Sequence, residues 1–272
     1  MSSKGKNVDL EAEYNNSAKV PNAAEIRDGW MREAEAFRAA HPSAELDLAY
    51  GPSKRQALDI FWPGAPGASP LAIFVHGGYW RAMDRKVFSH LARGLLAHGV
   101  AVAMPSYDLC PIVTMAVLVE QVRDAAAFLA RRHGRAMLAS GHSAGGHLAA
   151  MLLATDWTAR GLPAGTVKAA LPISGLFDLP PLIHTNVNVE ARLDEAEARR
   201  LSPMFLPSPG LPLHAVVGGT EGVEYTRQSR GIAEAWGGTW EATAGENHFT
   251  VIAPLADPGS ALVARAARMA VA

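Results

Sequence analysis

The chain has 272 residues, with 25 basic and 26 acidic side chains, so its formal charge is close to neutral. It contains no run of Lys or Arg, and this balance excludes the electrostatic pattern of a nucleic-acid-binding surface. The single cysteine, Cys110, rules out an internal disulfide, and no CxxC or Cys/His cluster indicates a metal site. The length favours a single α/β domain spanning residues 1–272.

From the start of the chain and from its apolar segments we expect no targeting signal and no membrane span. The first residues, MSSKGKNVDLEAEYNNSAKV, are polar and acidic, unlike a secretory signal. No window approaches the roughly 20 apolar residues that a membrane-spanning helix needs. We therefore expect a cytoplasmic protein without a membrane or nucleic-acid partner, and the sequence leaves a homodimer open.

The first predicted elements are a helix and a hairpin. Residues 21–41 place Ile26, Trp30, Ala34 and Phe37 at spacings of three and four, which predicts an amphipathic helix. The segments LDLAY and ALDIFWP, separated by the turn GPSKR, predict two short strands.

From Leu71 onward, predicted strands alternate with predicted helices. The strands are LAIFVHGG, VAVAMPSY, RAMLASGHS, VKAALPISG, LPLHAVVGG and TWEATAG, and the helices are FSHLARGLLAHG, VLVEQVRDAAAFLARRHG, AGGHLAAMLLATD and QSRGIAEAWGG. This alternation predicts an α/β fold whose doubly wound, mostly parallel sheet has helices on both faces. Residues 180–206 interrupt the alternation and are expected to form an excursion near the carboxyl edge of the sheet.

The strongest chemical signal is the segment Gly141–Gly146, GHSAGG, between a predicted strand and a predicted helix. It matches the pattern G-x-S-x-G, in which a serine stands on a sharp strand-to-helix turn above the sheet. The glycines allow helix and strand to approach each other closely. The motif predicts that Ser143 is the nucleophile of an α/β-hydrolase.

A serine hydroxyl needs a base to take its proton, and histidine is the usual one. In this fold the order along the chain is Ser, acid, His, so the base should follow the last strands. His248 is the only histidine that late in the chain. We interpret His76 and His142 as residues that brace the glycine motifs, and His184 and His214 as surface or packed histidines.

Three carboxylates are candidates for the acid that orients the base. Glu221 is the first choice because it lies in the loop after the strand LPLHAVVGG. Glu224 is a few residues further on, where a carboxylate at the start of a helix is its simpler interpretation. Asp178 follows an earlier predicted strand and is the third candidate.

The segment HGGYW follows the predicted strand LAIFV, where this fold places donors to the oxyanion. Preformed backbone N–H groups stabilise the negative charge that develops on a carbonyl oxygen during acyl transfer. Gly78 and Tyr79 would donate from one side and Ala144 from the other.

At HGGYW, GHSAGG and GGTEGVEYTRQS the sequence resembles the kynurenine formamidase (arylformamidase) branch of the α/β-hydrolases, itself similar to the hormone-sensitive-lipase-like esterases. The likeness extends to YNNSAKVP, SYDLCP, SGLFDLPPL and NHF. It implies Ser143 as nucleophile, His248 as base and Glu221 as acid. The family usually has Asp at the acid position, so the longer Glu221 requires a slightly retracted loop, or Asp178 takes its place.

The resemblance also implies that a set of residues lines the acyl or aryl pocket, whereas the sequence by itself favours a structural role for them. The set is Tyr14, Asn15, Asn16, Tyr79, Trp80 and Tyr107. Whether the N-terminal helical segment 1–45 covers the active site is left open by the sequence.

The family reaction is hydrolysis of N-formyl-L-kynurenine, in tryptophan degradation, so the first hypothesis is a serine hydrolase for that or a similar aryl amide. A short-chain carboxylesterase is the second hypothesis, and a non-catalytic binding member of the fold is the third. The expected partner is a small-molecule amide or ester. No cofactor is expected, because a Ser-His-acid triad needs none and G-x-G-x-x-G is absent after the first parallel strand.

Overall fold

The computed structural model of the protein describes residues 8–67 and 69–272, and its centre is a mostly parallel sheet. The strands are β1 (Ala44–Ala49), β2 (Ala57–Phe61), β3 (Leu71–Val75), β4 (Ala101–Pro105), β5 (Met137–His142), β6 (Val167–Ile173), β7 (His214–Gly218) and β8 (Thr239–Thr243). Their order in the sheet is β1-β2-β4-β3-β5-β6-β7-β8. The β1–β2 and β2–β4 pairs are antiparallel, and every later pair is parallel.

Helices cover both faces of this sheet. They are α1 (Leu10–Tyr14), α2 (Asn16–Lys19), α3 (Ala23–Ala40), α4 (Ala92–Ala97), α5 (Met115–His133), α6 (Ala144–Leu153), α7 (Asn188–Ala191), α8 (Glu195–Arg200), α9 (Val223–Trp236) and α10 (Ala261–Val271). One apolar core lies between the sheet and α5, α6 and α9, and the other lies between the sheet and α3, α4 and α10. The predicted α/β-hydrolase architecture is confirmed.

Local sequence signals account for most of these elements. Every residue of β3, β4, β5 and β7 is buried, as the continuous apolar runs predict for strands covered on both faces. Helix α5 begins where the Thr114 side chain accepts a hydrogen bond from the N–H of Val117, and it ends at Gly134, whose φ of 62° is in the left-handed region.

Three details differ from the sequence prediction. Helix α9 begins at Val223, five residues before the predicted QSRGIAEAWGG. The segment FSHLARGLLAHG starts with 3₁₀ turns, and only Ala92–Ala97 is α-helical. Helix α10 was not predicted, although Leu262, Val263 and Ala266 form part of a buried stripe at helical spacing.

The described part of the N-terminal segment 1–45, which starts at residue 8, meets the excursion 180–206 at the carboxyl edge of the sheet. Residues 1–7 of the first segment lie outside the described residues, and α1 packs against the 3₁₀ turn Pro180–His184 at the start of the second. The rest of the excursion contains α7, α8 and the turn Pro203–Phe205. Among residues 8–67 and 69–272, no helix is long and apolar enough to cross a membrane.

Glycines permit a very close approach between α6 and the strands beside it. A Cβ built on Gly145 would lie 1.9 Å from the carbonyl oxygen of Val75, and one on Gly141 would lie 2.3 Å from the carbonyl oxygen of Gly145. A Cβ on Gly146 would lie 2.8 Å from the Cα of Gly175. The neighbouring atoms are backbone, so they cannot move aside as a flexible side chain could.

We expect Gly145→Ala to lower the free energy of unfolding by about 1–3 kcal/mol, because the methyl group forces α6 away from β3. In an uncrowded helix the same change would stabilise by up to about 1 kcal/mol. Urea unfolding followed by circular dichroism measures the difference. Gly64→Ala is the matched control, since a Cβ there meets nothing within 4 Å, and equal stability of the two variants would contradict the packing argument.

Candidate active site

Ser143 occupies the turn between β5 and α6 in a strained backbone conformation. Its φ of 57° and ψ of −121° are rare for a residue with a side chain, and such strain costs on the order of 1–3 kcal/mol. The N–H of Ser143 donates to the carbonyl oxygen of Ile173 at 2.9 Å, which holds the turn against β6. The residue lines a cavity of about 260 Å³, into which this turn exposes the hydroxyl group.

His248 lies in the loop after β8 and lines the same cavity as Ser143. Its Nδ1 donates to Oε2 of Glu221 at 2.6 Å, which leaves Nε2 unprotonated in the neutral ring. The Asn247 side chain accepts hydrogen bonds from the N–H groups of Phe249 (2.8 Å) and Thr250 (3.1 Å), which shapes the loop around the imidazole. The contact with Glu221 therefore fixes the tautomer and the orientation of the ring.

His142 braces the same loop from the sheet side. Its Nε2 donates to the carbonyl oxygen of His248 at 2.7 Å. Complete burial, together with the nearby His248, holds the pKa of His142 well below its usual value. His142 therefore stays neutral and supports the loop, in agreement with its interpretation as a bracing residue.

Glu221 has a fully buried side chain whose two carboxylate oxygens are both hydrogen-bonded. Oε2 accepts from His248, and Oε1 accepts from Ser174 Oγ (2.5 Å) and from the N–H of Gly218 (2.6 Å). A Cβ on Gly218 would lie only 2.8 Å from Oε1, so the glycine makes room for the longer side chain. The loop thus accommodates glutamate at a position where the family that this sequence resembles usually has aspartate.

The other two candidate acids are engaged elsewhere. Oδ2 of Asp178 lies 2.8 Å from Nη1 of Arg227. Glu224 accepts a hydrogen bond from the Tyr14 hydroxyl at 2.7 Å and also pairs with Arg227. Within the described part of the chain, Glu221 is the carboxylate that contacts His248.

The loop after β3 approaches Ser143 with its backbone. A Cβ on Gly77 would lie 3.1 Å from the Cβ of Ser143 and 2.8 Å from the carbonyl oxygen of His142, so no side chain fits there. Across the described residues, no protein acceptor takes a hydrogen bond from the N–H groups of Gly78, Tyr79 and Ala144. Gly78, Tyr79 and Ser143, the residue before Ala144, all have positive φ values, as sharp turns require. These three N–H groups are thus available to an oxyanion.

Two residues that the resemblance assigns to the pocket do not line it. Trp80 is completely buried, and its Nε1 donates to Nδ1 of His147 at 3.2 Å. Tyr107 is also completely buried, with its ring stacked on His76 at 4.4 Å and its hydroxyl donating to the carbonyl oxygen of His76. Both side chains therefore support the HGGYW loop from beneath and do not reach the cavity.

The N-terminal residues Tyr14, Asn15 and Asn16 do line the cavity, together with Tyr79. Nδ2 of Asn16 donates to the hydroxyl groups of Tyr225 (2.7 Å) and Tyr79 (3.2 Å). The Tyr79 hydroxyl in turn lies 2.6 Å from the carbonyl oxygen of Tyr14, to which it donates. A polar network thus ties the N-terminal segment to α9 and to the loop after β3.

Several lining residues were not predicted as site residues from sequence. They are Glu11, Ser17, Arg27, Trp30, Arg81, Met83, Phe88, Thr185, Asn186, Val187 and Phe249. Trp30 was interpreted only as a packing residue, because an apolar stripe on a helix does not distinguish a core from a cavity wall. Tyr225, whose hydroxyl accepts a hydrogen bond from Asn16, was also not predicted. The one sequence signal that could have indicated it is its place within GGTEGVEYTRQS, a segment that carries the family resemblance.

The arrangement is suited to acyl transfer. A hydroxyl on a strained turn, an imidazole oriented by a buried carboxylate, and the backbone of the loop after β3 meet at one cavity. Among the described residues there is no cluster of three or more His, Cys, Asp or Glu that could hold a metal ion.

Comparison with known proteins places the chain among hydrolases. A family profile described as BD-FAE matches residues 58–183. The kynurenine formamidase of Salmo salar is 32% identical over 227 residues, which cover 78% of this chain and 77% of that protein. The kynurenine formamidase of Danio rerio is 30% identical over 226 residues, with the same coverage of both chains.

Solved structures agree with this result. A crystal structure from Silicibacter sp. TM1040, provisionally described as a thioesterase, has a TM-score of 0.88 at 37% identity and covers 95% of this chain and 98% of that one. An esterase from Pyrobaculum calidifontis has a TM-score of 0.71 at 17% identity, covering 91% of this chain and 90% of that one, and demonstrates the shared fold alone.

We expect Glu221→Gln to lower kcat by roughly 10²–10⁴-fold, because the amide no longer stabilises the protonated imidazole of His248. Hydrolysis of p-nitrophenyl acetate at pH 7.5 is the measurement. Asp178→Asn is the matched control and should retain most of the activity, since Asp178 pairs with Arg227 and not with His248. The reverse pattern would transfer the role of the acid to Asp178.

Proposed function

We propose that this chain, which belongs to the kynurenine formamidase family of α/β-hydrolases, hydrolyses an aryl formamide such as N-formyl-L-kynurenine. In this proposal Ser143 is the nucleophile, His248 is the general base, and Glu221 is the acid that orients it. The backbone N–H groups of Gly78, Tyr79 and Ala144 form the oxyanion hole.

The observation that carries the proposal is the composition of the cavity wall around Ser143. The backbone of Gly77 lies close to the serine, since a Cβ on Gly77 would lie 3.1 Å from the Cβ of Ser143. The cavity wall also includes Trp30, whose ring centroid is 5.4 Å from that of Phe88 and 5.9 Å from that of Phe249. A formyl group needs little room beside the serine, and an aryl leaving group fits an aromatic wall.

The first half of the reaction forms a formyl-enzyme. Ser143 Oγ attacks the formyl carbon while Nε2 of His248 takes the hydroxyl proton. The carbonyl oxygen becomes an oxyanion that the three backbone N–H groups stabilise. His248 then returns the proton to the amide nitrogen, the C–N bond breaks, and the arylamine leaves.

The second half of the reaction releases formate. A water molecule attacks the formyl ester while Nε2 of His248 takes its proton, and the oxyanion forms again at the same N–H groups. Collapse of this intermediate breaks the bond to Ser143 Oγ, which recovers its proton from His248. Glu221 stabilises the imidazolium ion in both halves through its hydrogen bond to Nδ1.

The N-terminal segment serves in this proposal as one wall of the cavity and covers the site. Asn16 lies against Tyr225 and Tyr79, and the Tyr14 hydroxyl lies between Glu224 and Gln228. Such cover keeps bulk water away from the formyl-enzyme and strengthens the electrostatic contacts inside the cavity.

We expect kcat/KM for N-formyl-L-kynurenine to exceed that for p-nitrophenyl acetate by at least about 10-fold, because the aromatic wall contributes binding energy only to the aryl formamide. Absorbance of the arylamine product and of p-nitrophenolate gives the two rates.

Ser143→Ala is the blank for both substrates, and its activity should fall by roughly 10⁴-fold or more while its unfolding midpoint stays unchanged. Preference for the ester would assign the chain a carboxylesterase activity instead. Substantial hydrolysis by the Ser143→Ala variant would remove the nucleophile assignment itself.

A further inference from the structure

A guanidinium group stands at the wall of the catalytic cavity without a role in the chemistry described above. Arg27 lines the cavity and lies on α3, three residues before Trp30, so the two side chains share one face of that helix. Its Cζ atom lies 5.9 Å from the centroid of the Phe249 ring. Because Phe249 follows His248, Arg27 lies on the side of the cavity nearest the general base.

The hydrogen-bonding capacity of Arg27 is almost unused. In the described part of the chain no carboxylate lies within 4 Å of its guanidinium group, and its one hydrogen bond is a long contact of 3.5 Å to Ser17 Oγ. A guanidinium group offers five N–H donors in a planar fork.

The other charged groups at the cavity wall are already engaged. Arg81 pairs with Glu190 and donates to the carbonyl oxygen of Asn186. The carboxylate of Glu11 accepts hydrogen bonds from the N–H and the side-chain amide of Asn186, at 2.8 and 2.7 Å. Among the residues that the structure describes, Arg27 is thus the cation at this wall whose N–H donors are available to a ligand.

We propose that Arg27 binds the carboxylate of the substrate, so that the preferred substrates are aryl formamides that carry a carboxylate remote from the scissile amide. This inference rests on the proposed function, because it assigns the far end of the same substrate. A planar guanidinium fork matches a carboxylate through two parallel hydrogen bonds. The leaving group lies beside His248, which protonates it, and Arg27 lies over the next residue, Phe249.

The test compares N-formyl-L-kynurenine with N-formylkynuramine, which has hydrogen in place of the carboxylate and the same aryl formamide. In the wild-type protein, kcat/KM should favour the carboxylate-bearing substrate. Arg27→Gln should reduce this selectivity ratio by roughly 10- to 100-fold, mainly through KM, as loss of one charge-assisted pair predicts. Arg27→Lys should recover part of the ratio, because it keeps the charge and loses the fork.

Arg93→Gln is the matched control. The guanidinium group of Arg93 lies 5.6 Å from the centroid of the Phe37 ring and pairs with Glu33, and the residue does not line the cavity. Like Arg27→Gln, the Arg93→Gln variant removes a guanidinium group and its contact with an aromatic ring. It should leave the rates for both substrates and the selectivity ratio unchanged.

Binding of the arylamine products gives a readout that does not depend on turnover. Calorimetric titration with L-kynurenine and kynuramine should show weaker binding of L-kynurenine alone in Arg27→Gln. Equal losses for both compounds, or no loss for either, would overturn the role of Arg27. Failure of the wild-type protein to hydrolyse either formamide would refute the proposed function separately, while the titration still decides the carboxylate contact.

Discussion

The close approach of α6 to β3 and β5 is the constraint on which the site depends. The backbones can approach so closely only where no side chain intervenes, and Gly141, Gly145 and Gly146 occupy the positions of approach. They hold the first turn of α6 beneath the cavity and force Ser143 into its positive φ. The N–H of Ala144 then points away from the helix body as one of its unpaired N-terminal donors. The close packing at these glycines thus determines where the Ser143 hydroxyl and the N–H of Ala144 lie.

The other half of the site is built from loops that hold one another. Thr220 donates from both its N–H and its hydroxyl to the carbonyl oxygen of Glu246, which ties the loop of Glu221 to the loop of His248. His142 joins the latter loop to β5. These hydrogen bonds fix the two loops relative to each other and so support the 2.6 Å contact between Glu221 and His248.

Sequence reasoning predicted the placement of residues that belong to a local motif. The turn that carries Ser143 was predictable, because glycines at this spacing between a strand and a helix allow the two elements to approach closely, and the role of Ser143 as nucleophile stays a prediction. Trp80 and Tyr107 were placed in the pocket by resemblance, but their adjacency to a loop does not determine which way a side chain points. Arg27 and Tyr225 were missed because they reach the site from helices far apart in the chain. Glu221 lay between these cases, since three carboxylates were available and only the contacts of the folded chain distinguish them. Glu221 contacts His248, whereas Asp178 and Glu224 pair with Arg227.

The contacts of the N-terminal segment have a consequence for the order in which the protein matures. The Tyr14–Glu224 and Asn16–Tyr225 hydrogen bonds join residues separated by 210 and 209 positions. The segment is synthesised well before its partners on α9, and closing so long a loop is entropically unfavourable until the sheet has formed. The wall of the cavity is accordingly completed after the scaffold beneath it. By this argument the turn that carries Ser143 forms before the cavity that it lines is enclosed.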